Sequence, residues 1–510
     1  MEEYTHPLTQ RVLRGGMIVL FFSFLASPLG YAFRLLLSRT LSIEMYGLFY
    51  AVLALFATLI TYNDLGFGLS AAYFIPKFLA KGDKQSVWNI HAYDRYIEFG
   101  TSMLFSIVLF FSAKWLALVY FKNPMAEYLI YIFCVYFITN SFISSIQKLF
   151  LGLQKEHIYS SIQTSSLFSI LVFSLFFWFF DVPRVLYYAL AWSGAYLITS
   201  LAYTYILYKK HASVVLKTTW DKGLCKKMFA YALPTLFTTS IYTFIISTDI
   251  FFLTLFKTVR EVGVYSVVMP IAAISGIFLY PINSFFFPLV SHLEEKGGMA
   301  QMLYLMQSIL KIVPLVTAYF GIFVFLFPKE TIGLLFGKQW TELGTIPLMI
   351  AIVVSFFSSL SSYFTTIAAG IGLVKKRLHI ALFLAIINIV LSSILIYTYG
   401  VVGAVVAAVL IQCCSVLLLG KVISHIIAFR YPIVFYGELA LFAVLLFTLT
   451  RVFNLQPYNF YQYILFGGVY TGIMFGFILV SKPFNQKIFN TILSARKEKP
   501  TPPPYPDPFT

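Results

Sequence analysis

Residues 16–33 read Gly-Met-Ile-Val-Leu-Phe-Phe-Ser-Phe-Leu-Ala-Ser-Pro-Leu-Gly-Tyr-Ala-Phe, a stretch that contains no charged side chain. The apolar run around it begins after Arg14 and continues past Leu36. A helix needs roughly 20 apolar residues to cross the hydrocarbon core of a bilayer. The run is too long for the core of a signal peptide, and no small-residue cleavage site closes it. It therefore predicts a first membrane-spanning helix that is retained.

Composition extends this prediction to the whole chain. Of the 510 residues, 60% are hydrophobic and 11% are charged, whereas about a quarter of the residues of soluble domains are charged. We therefore predict an all-α polytopic membrane protein with about 14 transmembrane helices. The predicted spans are 15–38, 43–65, 95–118, 125–148, 159–180, 184–208, 227–251, 262–286, 302–327, 342–367, 377–398, 401–428, 433–452 and 459–481.

The distribution of positive charge predicts the orientation. With both termini in the cytoplasm, the cytoplasmic segments hold 25 of the 36 Lys and Arg residues and the outer segments hold 10. Lys and Arg are retained on the cytoplasmic side of membrane proteins. This rule and contact with anionic lipid explain the net charge of +16. We therefore expect a multi-pass protein of the plasma or inner membrane, and nucleic acid is not needed as a partner.

Two pairs of short segments indicate an internal duplication. Tyr46-Gly-Leu-Phe-Tyr-Ala-Val52 is similar to Val262-Gly-Val-Tyr-Ser-Val-Val268 at a shift of 216 residues, and Gly152-Leu-Gln-Lys-Glu-His157 is similar to Gly372-Leu-Val-Lys-Lys-Arg377 at a shift of 220. Because the shift covers six helices, the two copies have the same orientation. We predict two six-helix lobes around a central cavity, divided as an N-lobe at 1–208, a cytoplasmic basic linker at 209–226, a C-lobe at 227–428, two extra helices at 429–481 and a disordered Pro-rich cytoplasmic tail at 482–510.

Several short motifs resemble one family in order and position. They are Ser38-Arg39-Thr40-Leu41, Tyr46-Gly47, Asp64-Leu-Gly66, Gly152-Leu-Gln-Lys155, Asp249, Val262-Gly-Val-Tyr265, Leu335-Phe-Gly337 and Gly370-Ile-Gly372. On these segments the chain resembles the multidrug/oligosaccharidyl-lipid/polysaccharide exporter superfamily, and within it the polysaccharide-type lipid-linked oligosaccharide flippases. The resemblance implies a two-lobe fold with alternating access. It further implies a flippase that moves polyprenyl-pyrophosphate-linked oligosaccharide from the cytoplasmic to the outer leaflet for polysaccharide or glycan assembly.

Ionisable groups inside membrane spans are costly, so each needs a partner or an exit to the interface. Lys311 lies about 14 Å into span 9, close to Pro314, and is predicted either to face the cavity or to reach the inner interface with its stem. The 216-residue shift brings Arg34 to the level of Asp249 in the facing lobe. In one interpretation, these two residues form a gate or an anion contact. In the other, Arg34 is an arginine at the membrane interface and Asp249 is an aspartate capped near a helix end. Arg34, Lys311 and Arg95 are our candidate cations for a pyrophosphate.

Acidic residues collect at the predicted cytoplasmic ends of spans 2 and 3. Asp64 ends span 2, while Asp94 and Glu98 open span 3 with Arg95 between them. In one interpretation, these acids form an inner gate or an ion-coupling site, for which Asp249 is a further candidate. In the other, they belong to an ordinary helix N-terminus, where carboxylates are favoured. Two uncharged residues, Asn140 and Gln163, are predicted either to bond sugar hydroxyls or to bond across helices.

The sequence also argues against several other classes. It contains no Gly-x-x-x-x-Gly-Lys-Ser/Thr phosphate loop and no zinc motif, so we expect no cofactor, no metal and no enzymatic activity. A cation-coupled multidrug antiporter of the same superfamily is the first alternative, and a membrane glycosyltransferase or polysaccharide polymerase is the second. The expected partners are a lipid-linked oligosaccharide, membrane lipid, and the glycosyltransferases or polymerase of the same pathway.

Overall fold

The computed structural model describes residues 8–180, 184–215, 219–295 and 298–481, and all regular elements in these ranges are helical. The predicted tail at 482–510 and residues 216–218 of the predicted linker lie outside the described residues. The first half contains α1 (Leu8–Thr40), α2 (Ile43–Asn63), α3 (Phe67–Ala80), α4 (Lys84–Trp115), α5 (Met125–Gly152), α6 (Glu156–Phe179) and α7 (Val185–Val215). The second half contains α8 (Lys222–Phe256), α9 (Val259–Ala272), α10 (Ile274–Glu295), α11 (Met299–Leu326), α12 (Pro328–Leu335), α13 (Thr341–Gly370) and α14 (Val374–Ser424), followed by α15 (Ile433–Val452) and α16 (Phe460–Ser481).

The helices confirm an all-α polytopic membrane fold. Eleven helices of the described residues are long and apolar enough to cross a bilayer. One of them, α14, folds back at Gly400, where the backbone is not helical. A Cβ on Gly403 would overlap the carbonyl oxygen of Leu395, although residues eight apart in a continuous helix are separated by about 12 Å. The two arms of α14 correspond to the predicted spans 377–398 and 401–428. Helices α8, α9 and α10 overlap the predicted spans 227–251 and 262–286 but are not among these eleven.

Helix α2 ends at Asn63, close to the predicted end of the second span at residue 65, and the connection that follows contains α3, a helix that was not predicted. Leu65 and Gly66 have φ angles of 48° and 80°, a left-handed conformation that a glycine adopts without strain. The carboxylate of Asp64 accepts hydrogen bonds from the backbone N–H groups of Gly66 (2.8 Å) and Gly68 (3.2 Å). These bonds satisfy free donors at the start of α3. The predicted loop after residue 65 is therefore largely a second helix.

The third predicted span begins earlier than expected. Its helix, α4, starts at Lys84 and not at residue 95, and the side chain of Asp83 caps it by accepting from the backbone N–H of Ser86 at 3.0 Å. Asp94 and Glu98 are therefore ten and fourteen residues inside the helix. The prediction that these acids open a helix is wrong, because the stretch 84–94 is polar yet helical.

The predicted linker is also mostly helical. Helix α7 continues to Val215, and α8 begins at Lys222 after Asp221, whose carboxylate accepts from the backbone N–H of Gly223 at 2.8 Å. Tyr93 of α4 donates a hydrogen bond to the carbonyl oxygen of Thr219 (3.1 Å). The end of this connection is thus attached to α4.

At one end of the bundle the two halves pack closely. Helices α2 and α9 cross where a Cβ on Gly47 would overlap the carbonyl oxygen of Val259, and a Cβ on Gly263 would lie 2.8 Å from that of Ile43. Small residues permit such close helix crossings in membranes. The indole N–H of Trp340 donates to the carbonyl oxygen of Ser38 at 3.1 Å. We call this end, which contains Ser38, Gly47, Gly263 and Trp340, the sealed end.

Other contacts strengthen the sealed end. Gln339 donates to the carbonyl oxygens of Ser38 (2.7 Å) and Leu41 (3.2 Å), and Arg39 donates to that of Leu335 at 3.2 Å. The Ser38-Arg39-Thr40-Leu41 and Leu335-Phe-Gly337 motifs therefore meet in space. Below them, the largest buried core contains tilted and edge-on aromatic pairs such as Phe49 and Phe133, whose ring centroids are 5.4 Å apart.

At the opposite end, α3 of the first half contacts α8 of the second on one side. The rings of Tyr73 and Tyr231 stack with centroids 4.6 Å apart, and the hydroxyl of Ser70 donates to the carbonyl oxygen of Met228 at 3.3 Å. On the other side, Phe24 of α1 and Phe278 of α10 lie 6.4 Å apart, centroid to centroid. The cavity described next lies on this second side.

Candidate substrate cavity and buried charge cluster

A cavity of about 400 Å³ lies between α1, α6 and α10. Its size is within the range of ordinary ligand sites. It contains two of the residues predicted from the sequence, Arg34 and Gln163, and several hydroxyl groups. Its lining consists of Ser23, Ala26, Ser27, Gly30, Tyr31, Arg34, Gln163, Leu167 and Ile277.

Arg34 is a cation without an acidic partner. Its guanidinium donates a hydrogen bond to the carbonyl oxygen of Ser266 on α9 at 3.3 Å, and its central carbon lies 4.6 Å from the ring centroid of Tyr50. Within the described residues, no carboxylate lies within 4.0 Å of it. Tyr31, one turn earlier on α1, donates to the carbonyl oxygen of Pro270. Both side chains therefore connect the cavity wall of the first half to α9 of the second.

Arg34 does not pair with Asp249. Asp249 is buried and accepts hydrogen bonds from the hydroxyl groups of Tyr265 (2.7 Å) and Ser392 (3.2 Å). Since Arg34 contacts Ser266 and Asp249 contacts Tyr265, the two residues reach neighbouring positions of α9. Both partners of Asp249 are uncharged.

The remaining predicted cavity residues are dispersed. Arg95 donates to the hydroxyl of Tyr208 at 2.9 Å. Lys311 is half-buried on α11 and forms no hydrogen bond or ion pair within the part of the chain that the structure describes. Asn140 is half-buried on α5. These three residues are absent from the linings of the three cavities described in this section.

The predicted acids Asp64, Asp94 and Glu98 come together around one lysine. The Nζ atom of Lys148 on α5 lies 2.9 Å from a carboxylate oxygen of Asp64 and 3.6 Å from one of Asp94, and it also pairs with Glu98. Asp94 and Glu98 are each 1% exposed. We call Asp64, Asp94, Glu98 and Lys148 the charge cluster.

Local geometry makes room for this cluster. A Cβ on Gly68 would overlap the Cε atom of Lys148, so only the absence of a side chain there lets the lysine reach Asp64. The hydroxyl of Ser144 donates to Glu98 at 3.1 Å. Both carboxylate oxygens of Asp94 and one of Glu98 have no hydrogen-bond donor among the described residues.

Sequence reasoning missed Lys148, because it lies at the last residue of predicted span 4 and was counted with the cytoplasmic charges. A signal was present in the acids themselves. Asp94 and Glu98 are spaced to share one helix face, and two carboxylates buried together need a cation nearby. Lys148 is the last residue of predicted span 4, the span that directly follows the one with Asp94 and Glu98 at its start.

A second cavity, of about 270 Å³, lies between α9, α10 and α13 and presents hydroxyl groups. The amide nitrogen of Asn283 donates to the hydroxyl of Ser362 at 2.9 Å, and the carbonyl oxygen of this amide has no donor among the described residues. None of its described lining residues is charged. Its polar lining residues are Asn283, Ser355, Ser358, Ser359, Ser362 and Tyr363.

A third cavity, of about 310 Å³, is mainly apolar and separates α11 from α16. Its walls include Tyr319, Phe323, Tyr463 and Tyr470, and it borders the second cavity at Ala272, which lines both.

Comparison with known proteins places residues 12–294 within the model of the family described as polysaccharide biosynthesis protein. An uncharacterized membrane protein of Methanocaldococcus jannaschii is 24% identical over 417 residues, covering 78% of this chain and 81% of that protein. The protein named probable low-salt glycan biosynthesis flippase Agl15, from Haloferax volcanii, is 27% identical over 194 residues, which cover 36% of this chain and 39% of that protein.

Two solved structures share the fold. The lipid II flippase MurJ in an inward closed conformation aligns with a TM-score of 0.67 at 12% identity, over 91% of this chain and 98% of that one. An inward-facing multidrug resistance transporter of the MATE family, within the MOP superfamily, aligns with a TM-score of 0.68 at 15% identity, over 80% and 98%.

Proposed function

The chain belongs to the polysaccharide biosynthesis protein family, whose members are membrane transporters of the MOP superfamily and not enzymes, and we propose that it is a flippase for lipid-linked oligosaccharide. The proposed substrate is an oligosaccharide on a polyprenyl pyrophosphate, which the protein carries from the cytoplasmic to the outer leaflet by alternating access. MurJ and Agl15, to which the chain is similar, are named as flippases.

Arg34 is the observation that carries this proposal. A cation in a membrane cavity is costly unless an anion joins it, and the described residues supply no carboxylate to Arg34. A guanidinium binds phosphate oxygens through two parallel hydrogen bonds. The cavity around Arg34 thus suits an anionic group such as a pyrophosphate, with Gln163 and Tyr31 as further donors.

The other two cavities suit the remaining parts of this substrate. The uncharged hydroxyl and amide groups around Asn283 match the hydroxyl groups of a sugar. The aromatic walls near Tyr319 and Tyr470 match a prenyl chain. A small cationic drug would require neither the unpaired arginine nor a wall of serines.

We also propose that the sealed end faces outward and both termini face the cytoplasm. This orientation follows the excess of Lys and Arg in the segments predicted to be cytoplasmic. An inside-negative potential would then favour the outward movement of a doubly negative headgroup by about 4–5 kcal/mol per 100 mV if its charge moved uncompensated. Such a transporter needs no nucleotide site.

The test is reconstitution of the full chain in liposomes that contain a fluorescent polyprenyl-pyrophosphate-linked oligosaccharide. A membrane-impermeant quencher reports which leaflet holds the label. Because a charge-assisted hydrogen bond contributes about 1.5–3 kcal/mol, we expect Arg34→Gln to slow flipping at least about tenfold. Arg451→Gln, an exposed arginine on α15, is the matched control and should flip at the wild-type rate.

Two results would contradict the proposal. A wild-type rate in Arg34→Gln would remove this arginine from the binding site. A wild-type protein that leaves the lipid in place would exclude the flippase itself. Lys311→Gln in the same assay tests the predicted second cation, and we expect slower flipping if Lys311 faces the substrate path.

The cation-coupled antiporter remains a second candidate because of one observation. Asp249 is a buried carboxylate that no cation neutralises within the described residues, and it contacts only hydroxyl groups there. An antiporter needs such a group to bind its coupling ion. Efflux of a cationic dye that is driven by an ion gradient and lost in Asp249→Asn, combined with no movement of the lipid, would favour this function.

A further inference from the structure

The charge cluster carries more negative than positive charge. With all groups ionised, Asp64, Asp94 and Glu98 give three negative charges against the single positive charge of Lys148, which is in contact with all three. Burial of an unbalanced charge inside a membrane protein is strongly unfavourable. The cluster therefore needs at least one further positive charge.

The other ionisable groups nearby do not supply that charge. On α4, His91 is buried and its Nδ1 atom is shared with the hydroxyl of Ser145 at 3.2 Å, while Arg95 reaches away to Tyr208 on α7. From α5, Lys148 and the hydroxyl of Ser144 contact the acids while Ser145 contacts His91, and the connection between α2 and α3 contributes Asp64. Even if Arg95 is counted, one negative charge is left over.

Buried carboxylate oxygens without a partner indicate where the additional positive charge is bound. Oδ2 of Asp94 and Oε2 of Glu98 are inaccessible to solvent and have neither a hydrogen bond nor an ion pair in the described part of the chain, whereas Oδ1 of Asp94 has the ion pair with Lys148 at 3.6 Å. Asp94 and Glu98 lie on one face of α4, four residues apart. Burial and the like charge of the neighbouring carboxylate both disfavour the fully ionised state, so a pair of this kind favours retention of a proton.

We propose that the charge cluster is a proton-binding site in which Asp94 and Glu98 together hold one exchangeable proton. Binding forms one O–H bond on a carboxylate and releases nothing, so the cluster becomes less negative by one charge. A metal ion fits less well, because Nζ of Lys148 already occupies the centre of the carboxylates. In addition, the described residues contain no group of three or more His, Cys, Asp and Glu with the geometry of a metal site.

The charge cluster is linked through Asp64 and α3 to the contact between the two halves of the molecule. Asp64 belongs to the cluster and also caps α3, whose Ser70 contacts the backbone of α8 at Met228. Loss of the proton would strengthen the pull of the remaining carboxylates on Lys148 and weaken its bond to Asp64. A role of the proton in transport rests on the proposed function, whereas the proton site itself does not.

Infrared spectroscopy of the purified full chain in lipid nanodiscs tests the site without any transport assay. The carbonyl stretch of a protonated carboxyl group is distinct from that of a carboxylate. We expect this band at neutral pH in the wild type, its loss above a titration midpoint at alkaline pH, and a decrease by at least half in Asp94→Asn or Glu98→Gln. Glu127→Gln, whose carboxylate accepts from Tyr131 on the same helix as Lys148, is the matched control and should keep the band.

Three other outcomes would contradict the proposed proton site. Absence of the band at neutral pH means that all three acids are ionised. A band that Na⁺ removes at constant pH means that the cluster binds a metal cation instead. A band that disappears in Glu127→Gln and persists in both cluster variants belongs elsewhere. Gel filtration of each variant confirms that the protein used is folded.

Discussion

The two halves of the molecule differ most where their predicted duplication pairs them. The shift of 216 residues pairs Asp94 with Leu310, and the shift of 220 residues between Gly152 and Gly372 pairs the nearby Lys148 with Ala368. Asp94 and Lys148 belong to the charge cluster, whereas Leu310 and Ala368 are buried in an apolar cluster of α11, α13 and α14. Corresponding regions are thus ionic in the first half and apolar in the second. If the charge cluster holds the proposed proton, it responds to pH, whereas this apolar cluster is built from hydrophobic side chains.

The largest effect should come from removal of the cation in the charged half. Lys148→Met leaves three carboxylates without a counter-charge, and breaking one side of a buried ion pair costs about 3–5 kcal/mol. We expect a loss of folded protein or a strongly lowered unfolding temperature in detergent, measured by fluorescence-detected gel filtration after heating. Lys148→Arg, which keeps the charge, should retain more of the stability. If Lys148→Met were as stable as the wild type, the cluster would be solvated.

In the apolar half, truncation should also destabilise, but without dependence on pH. Phe364→Ala removes a fully buried ring, and such truncations cost about 3 kcal/mol or more because they leave a cavity. The unfolding temperature should fall by the same amount at pH 6 and pH 8. A pH-dependent loss would mean that the apolar cluster is coupled to an ionisable group, and the contrast between the halves would fail.

Gly47 and Gly263, the two glycines at the crossing of α2 and α9, should differ in how well they tolerate substitution by alanine. Gly47→Ala forces the new methyl group into the carbonyl oxygen of Val259, whereas Gly263→Ala meets its nearest atom at 2.8 Å. Overpacking of this kind costs about 1–3 kcal/mol, and we expect the larger cost at Gly47. Labelling of a cysteine introduced beside Ser38 should report faster opening of the sealed end in Gly47→Ala than in Gly263→Ala. Equal rates would show that α2 and α9 adjust to either methyl group.

The smallest effect is expected for the neutral isostere at Glu98. If the proton resides on this pair, Glu98→Gln replaces one uncharged group by another of the same size, so the stability should change by less than about 1 kcal/mol. The unfolding temperature measured beside that of Lys148→Met gives the comparison. A loss as large as that of Lys148→Met would show that Glu98 is needed as an anion.

Sequence patterns predicted the spans well, because the bilayer imposes a length and an apolar composition on every crossing helix. They failed for helical segments that are short or polar. The segment 84–94 is helical but polar, so the start of α4 was predicted too late, and the short helix α3 was not predicted at all. The break between α2 and α3 depends on two left-handed residues and an aspartate cap, which the Asp64-Leu-Gly66 motif contained without revealing its role.

The site was predictable residue by residue but not as an arrangement. The cost of charge in a membrane identified Arg34, Asp64, Asp94 and Glu98. It could not show that Arg34 lacks a carboxylate, since the sequence shift suggested Asp249 as its neighbour. Helix rotation decides such pairings. Tyr265, which contacts Asp249, and Ser266, which contacts Arg34, are adjacent residues of α9 and lie about 100° apart around the helix axis.

The reversal of α14 at Gly400 has a consequence for the biosynthesis of the protein. Its two arms are joined directly at this turn, so we expect them to insert into the bilayer together as one hairpin. The carboxylate of Glu261 accepts from the backbone N–H of Val401 at 2.7 Å, so the turn is bound to α9 once it has crossed. A protease or antibody added from that side of the membrane would therefore find no loop to recognise at this turn.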